Sequence, residues 1–337
     1  MAVRETSGSY SNMPSFWTSV SESPTTAKGH LSDFCECSLR SSMKGVHWMI
    51  ENRGGMAFFT GLLIVQSQFG PSSEENERII DEASHHAPFK IEKFRLPVKD
   101  GTTISGIIYY PPGWNPEDKS RCVAFHNPNG ANIADFFDNR RLAWTVGDVV
   151  ALRQCPIVMY DYRGAGLSQD NYRGSLKFYP TYASIVEDGV VALAYVLKHF
   201  ETAEVWGSSL GGGVAAKALA LHLKANPDHV NRVEILSHDS FSTTSRVIIP
   251  GWPRTADWLG WTVGGHIDAE AAIIELVAKG VKVTILCHTD DPVIPAGARM
   301  ADRTETPVLK NRVRVICCPG RGHAFLTRDM IAALKAK

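Results

Sequence analysis

The sequence predicts an α/β fold, a mostly parallel central sheet with helices on both faces and an antiparallel edge. Three observations predict it. From residue 90 onward, short continuous apolar runs alternate with stretches of helical period, the pattern of strands buried on both faces. At the start of that region two β-rich runs are joined by Lys99-Asp100-Gly101, and Asp-Gly is a hairpin signal. The composition is that of a globular protein: 337 residues, 44% hydrophobic, 21% charged, with 35 Lys+Arg against 35 Asp+Glu. A balanced charge argues against a nucleic-acid partner, which would select a basic surplus.

Residues 1–45 are rich in Ser and Thr with little apolar period, and read as a disordered leader. They lack the apolar core of a secretory signal, so a cytoplasmic location is expected. The alternative is export to a host cell through a non-classical N-terminal signal. Residues 46–88 read as a helical extension. Within it, Met56–Val65 is the most apolar run, yet ten residues of helix span only about 15 Å, half a bilayer core. It is expected to pack on the main domain or to touch a membrane surface peripherally. Gly70–Arg78 reads as a polar linker, followed by a short helix that ends before Pro88.

Residues 89–337 hold the alternating pattern. Strands are expected at 91–98, 103–110, 122–126, 156–160, 204–206, 233–236, 281–286 and 312–316. Helices are expected at 131–150, 181–200, 210–224, 268–279 and 324–336. Of the seven cysteines, Cys122, Cys287, Cys317 and Cys318 sit in apolar strand-like runs and read as reduced and buried. Cys35-x-Cys37 has no second pair at zinc spacing, so no metal site is expected there.

The sharpest chemical signal is Gly207-Ser208-Ser209-Leu210-Gly211, between an expected strand and an expected helix. A nucleophile on a strained strand-to-helix turn needs neighbours without bulk two residues away on either side. Gly207 and Gly211 meet that need for Ser209, whereas Ser208 would be flanked by Trp206 and Leu210. The Leu210 N–H would face a developing oxyanion at the helix start. An acid is expected just past a strand end, at Asp291 before Pro292-Val293-Ile294-Pro295, with Asp290 as its competitor. A general base with room to turn is expected at His323, beside Gly322 after the last strand. The second oxyanion donor is expected in Phe125–Asn132, at Asn129 or alternatively Gly130, since Pro128 has no N–H.

These motifs resemble those of the α/β-hydrolases over about residues 90–337. The carriers are Phe125–Asn132, Tyr160-Asp161-Tyr162-Arg163-Gly164-Ala165-Gly166 running on to Ser168, Gly207–Gly212, Asp291–Pro295 and Gly322-His323. The family's His-Gly after the early strand is His126-Asn127 here, with one residue inserted. The Ser-rich leader and overall layout are also similar to the chlamydial CHLPS-type hydrolases. The resemblance implies a serine hydrolase with no cofactor and no metal: Ser209 as nucleophile, His323 as base, Asp291 as the acid that orients it. It also implies that the segment 240–267 forms a cap. Trp252, Trp258 and Trp261 in that segment would wall a substrate site suited to a hydrophobic acyl chain. The expected substrate is a small-molecule or lipid ester. The same triad would serve an amidase, thioesterase or peptidase, and a non-catalytic effector could use the same fold for binding.

Overall fold

The computed structural model describes residues 72–85, 88–99, 101–137, 146–169, 180–248 and 266–336. The chain divides into two units, Met1–Arg53 and Gly54–Lys337, and every described residue lies in the second. The expected leader, the apolar run 56–65 and the three tryptophans of the 240–267 segment lie outside the described residues.

Among the described residues, eight strands form one sheet: β1 (Lys90–Pro97), β2 (Thr103–Tyr110), β3 (Arg121–His126), β4 (Ile157–Tyr160), β5 (Thr202–Ser208), β6 (Val233–His238), β7 (Lys282–Asp290) and β8 (Arg314–Arg321). Their spatial order is β1-β2-β4-β3-β5-β6-β7-β8. β1 pairs antiparallel with β2, and β2 antiparallel with β4; every later pairing is parallel. The expected hairpin is therefore present, with Pro97 opposite Thr103 at its closed end.

Side chains alternate across the sheet with period two, and each face feeds its own core. Cys122, Ala124, Val158, Tyr160, Val205, Ile235 and Ile285 face one way. They pack against α3 (Tyr182–His199), α4 (Leu210–Ala225) and α6 (Ala269–Ala278) through Ile185, Leu193, Val214, Leu219 and Ile273. Val123, Phe125, Met159, Trp206, Leu236 and Leu286 face the other way. They meet α1 (Ser73–His85), α2 (Val146–Arg153) and α7 (Arg328–Lys335) through Ile80, Val149, Met330 and Leu334. A further short helix, α5, spans Thr244–Ile248. Burial on both faces is why the strands read as unbroken apolar runs.

Four expectations need correction. The stretch read as a linker is already helix from Ser73: the Ser72 hydroxyl accepts the Glu75 N–H at 3.2 Å, and Glu74 and Glu75 sit in the positive first turn. The helix expected over 131–150 is divided. A 3₁₀ turn at Ile133–Phe136 is closed by reciprocal bonds between Asn132 and Asp135, and α2 covers Val146–Arg153. The last helix starts at Arg328, not 324, because Ala324 has φ 59° and Thr327 caps the first turn. Cys317 is exposed rather than buried, because β8 is an edge strand with one neighbour.

Asp161, at the end of β4, ties the loops at this end of the sheet. Its carboxylate accepts the N–H groups of Ile133 (2.8 Å) and Leu167 (2.8 Å) and the Asn127 amide (3.0 Å). Its carbonyl accepts the Ser168 hydroxyl at 2.8 Å, and the Ser105 N–H donates to that same hydroxyl at 2.8 Å. Gly166 has no room for a side chain: a Cβ would stand 2.1 Å from the Asp161 carboxylate. The Arg163 guanidinium turns the other way and meets Asp188 at 2.7 Å inside the core.

Cys317 lies directly opposite Cys287 across β7 and β8. The hydrogen bond from Cys287 draws the Cys317 thiol down to about 7, and the Arg299 charge acts in the same direction. Burial and that same bond push Cys287 upward. Mass-spectrometric mapping of iodoacetamide adducts should therefore find Cys317 modified first among the described cysteines, with its rate rising most steeply near pH 7.

Candidate active site

The turn between β5 and α4 carries Ser209. Its backbone sits at φ 52°, ψ −119°, a conformation that costs a non-glycine residue about 1–3 kcal/mol. Its N–H donates to the His238 carbonyl at 2.9 Å, and the Ser240 hydroxyl donates to its carbonyl at 2.9 Å. The glycines make the turn possible. A Cβ on Gly207 would lie 2.2 Å from the Gly211 carbonyl oxygen, and one on Gly211 would lie 2.1 Å from that of His126. On Gly212 it would meet Ser240, and on Gly213 the Phe241 ring. All four glycines are thus contact surfaces, two of them against backbone.

The Ser209 hydroxyl lies 2.8 Å from His323 Nε2, and His323 Nδ1 lies 2.8 Å from Asp291 Oδ2. The ring is bonded through both nitrogens, so Nδ1 carries the proton toward the carboxylate and Nε2 is free to accept from the hydroxyl. The Asp291 side chain is 1% exposed and His323 15%, so the carboxylate is shielded while the imidazole is reachable. The other Asp291 oxygen accepts the N–H groups of Val293 (2.8 Å) and Ile294 (3.0 Å). The Pro292-Val293-Ile294 sequence therefore folds back around the acid. Asp290 is exposed and enters through its carbonyl, which accepts the Gly322 N–H at 3.1 Å. Of the two candidate acids, Asp291 is the one that meets the histidine.

Leu210 is the first residue of α4, so its N–H lies outside the helix ladder and beside Ser209. The second expected donor lies in the loop after β3. That loop is pressed on the turn by the close approach of Gly211 to the His126 and Asn127 carbonyls. Asn127 is buried, and its amide donates to the Tyr160 carbonyl and to Asp161, both at 3.0 Å. Burial pushes the His126 ring down to about 3, so it is neutral, and its Nδ1 lies 2.8 Å from the Tyr160 hydroxyl. Asn129 and Gly130 follow, Gly130 with φ 77°.

Sequence reasoning passed over a second layer of residues. Asp239, with φ 43°, directly follows β6, and its Oδ2 lies 2.7 Å from Nδ1 of His288 on β7. The Ala324 N–H donates to that same oxygen at 2.8 Å. Position was the available signal: both residues stand at the carboxyl edge of parallel strands, as Ser209 does.

The sheet order, its antiparallel first two pairings, the right placement of a strained serine after β5 and the acid and histidine after β7 and β8 together decide the architecture. The fold is that of the α/β-hydrolases. No family model matches the chain, and no curated protein matches it. Similar solved structures include a hyperthermophilic esterase from Pyrobaculum calidifontis, 17% identical over 78% of this chain and 86% of that one, with a TM-score of 0.45. Carboxyl esterase 2 of the mycorrhizal fungus Tuber melanosporum is 14% identical over 75% and 85%, with a TM-score of 0.49. The Pyrococcus furiosus esterase Pf2001 is 10% identical over 79% and 90%, with a TM-score of 0.47.

The turn geometry predicts that Gly211→Ala, which drives a methyl into the His126 carbonyl, destabilises the fold by roughly 1–3 kcal/mol. Urea unfolding should show a lower midpoint with an unchanged slope.

Proposed function

We propose that this α/β-hydrolase is a serine enzyme that cleaves carboxylic esters through an acyl-enzyme. One observation carries the reading: the continuous relay from the Ser209 hydroxyl through His323 to a shielded Asp291, mounted on a strained turn. The Ser209 oxygen attacks the ester carbonyl as His323 Nε2 takes its proton. The carbonyl oxygen becomes negative and is held by the N–H groups of Leu210 and Asn129. Each such donor contributes roughly 10²–10³ in rate. When the tetrahedral centre collapses, the bond to the leaving alcohol breaks and His323 gives that oxygen its proton. Water then repeats the sequence on the acyl-enzyme: His323 takes a proton from it, and Ser209 leaves with that proton. Asp291 keeps the imidazole in its Nδ1–H form and stabilises its positive charge.

The preference for a hydrophobic acyl chain rests on Trp252, Trp258 and Trp261, whose clustering in the expected cap segment supports an apolar wall. A panel of p-nitrophenyl esters tests it, with rising kcat/KM from acetyl to longer chains as the expected result. Equal turnover of all chain lengths overturns it.

The central experiment labels the protein with a fluorophosphonate and assays ester, thioester and amide substrates. Labelling and ester turnover should both vanish in Ser209→Ala. Asp291→Asn should lower kcat by about 10⁴, the loss expected when the orienting carboxylate of such a triad is neutralised. Asp290→Asn should stay near the parent rate. A folded protein that neither labels nor turns over any ester overturns the proposal.

A further inference from the structure

His323 is bonded at both ring nitrogens, but those bonds do not explain what holds its backbone. The residue after it, Ala324, has φ 59°, a left-handed conformation that costs a side-chain-bearing residue about 1 kcal/mol and needs an external hold. That hold is the 2.8 Å bond from the Ala324 N–H to Asp239 Oδ2. Asp239 is itself fixed three ways. Its N–H donates to the Leu286 carbonyl at 2.8 Å, its Oδ1 accepts the His288 N–H at 2.8 Å, and its Oδ2 lies 2.7 Å from His288 Nδ1.

The electrostatics fit a permanently ionised clamp. The Asp239 side chain is fully buried, and burial works against its charge. The adjacent His238 and His288 outweigh that cost and hold the carboxyl well below the ordinary carboxylate range. His238 Nε2 stands 3.3 Å away. Two backbone N–H groups that can only donate require acceptors on both Asp239 oxygens.

His288 completes the arrangement from beneath. Its Nδ1 meets Asp239, and its Nε2 faces Gly322, where a Cβ would sit 2.5 Å from it. The Phe325 ring lies against the same imidazole, at 4.8 Å between centroids. The residues on either side of His323 and Ala324 thus rest on one buried ring.

We propose that Asp239 and His288 act as a positioning pair for the general base: Asp239 clamps the peptide that follows His323, and His288 supports the loop at Gly322 and Phe325. The imidazole is thereby aimed at Ser209 before substrate arrives. Asp239 is not a second triad acid, since it meets backbone of the loop while Asp291 meets the ring. This inference rests on the proposed catalytic role of Ser209 and His323 and names the residues that make it efficient.

The test uses the full chain and a soluble p-nitrophenyl ester, with active sites counted by fluorophosphonate titration. Absence of Ser209-dependent labelling in the parent protein overturns the proposed function itself. Given labelling, Asp239→Ala should lower kcat per titrated site by roughly 10–100-fold with KM changed less than about twofold, the signature of a misplaced catalytic group. Asp239→Asn should fall between, because one amide oxygen can still accept the Ala324 N–H. Unchanged kcat per titrated site in Asp239→Ala, or a rise in KM alone, overturns the inference. Should that variant not fold, amide hydrogen exchange of the parent protein decides. The Ala324 N–H should exchange slowly despite its loop position, and exchange at the rate of an unstructured peptide overturns the clamp.

Discussion

A serine at φ 52° can be held only where its surroundings leave no slack, and the rest of the molecule is arranged to supply that confinement. The turn is fixed at one end by β5, paired on both sides within the sheet, and at the other by α4 packed between α3 and α6. The bond from the Ser209 N–H to the His238 carbonyl locks the turn to the neighbouring strand. Gly211 then lets the loop after β3 approach within touching distance of the helix start. The strain stored at one residue is therefore balanced by packing spread over two cores.

The same sheet edge gathers everything else the site uses. In a parallel sheet the carboxyl ends of neighbouring strands point the same way, so loops far apart in sequence meet there. Asp161 fixes the loops after β3 and β4, whereas Asp239 and His288 tie those after β6 and β8 to β7. Each group is satisfied by N–H donors as well as by side chains. Buried carboxylates of this kind specify loop geometry more than they add stability.

Much of this was legible in the residues. Apolar runs such as Val281–Leu286 announced strands because they are buried on both faces. Gly207 and Gly211 announced the turn because no other residue fits there. Asp291 was legible through the proline-bracketed segment that wraps it. Less was readable where a long-range partner decides the outcome. Ile133 gives its N–H to Asp161, twenty-eight residues away, and a run of helical period becomes a 3₁₀ turn. Asp239 gave no sign of its role because its partner Ala324 offers only a backbone group, which has no sequence signature. Cys317 read as core because local hydrophobicity does not reveal which strand lies at an edge.

The separation between Ser209 and His323 along the chain has a bearing on biosynthesis. Ser209 and His323 are 114 residues apart, and the histidine arrives only after β8, which among the described residues pairs with β7 alone at the sheet's border. The strands that flank the Ser209 turn, β3 and β6, both precede β8 in the chain. The His323 imidazole cannot reach the hydroxyl until the border strand has emerged and added itself. Assembly order thus keeps the Ser209 hydroxyl apart from the His323 imidazole until a single edge has docked.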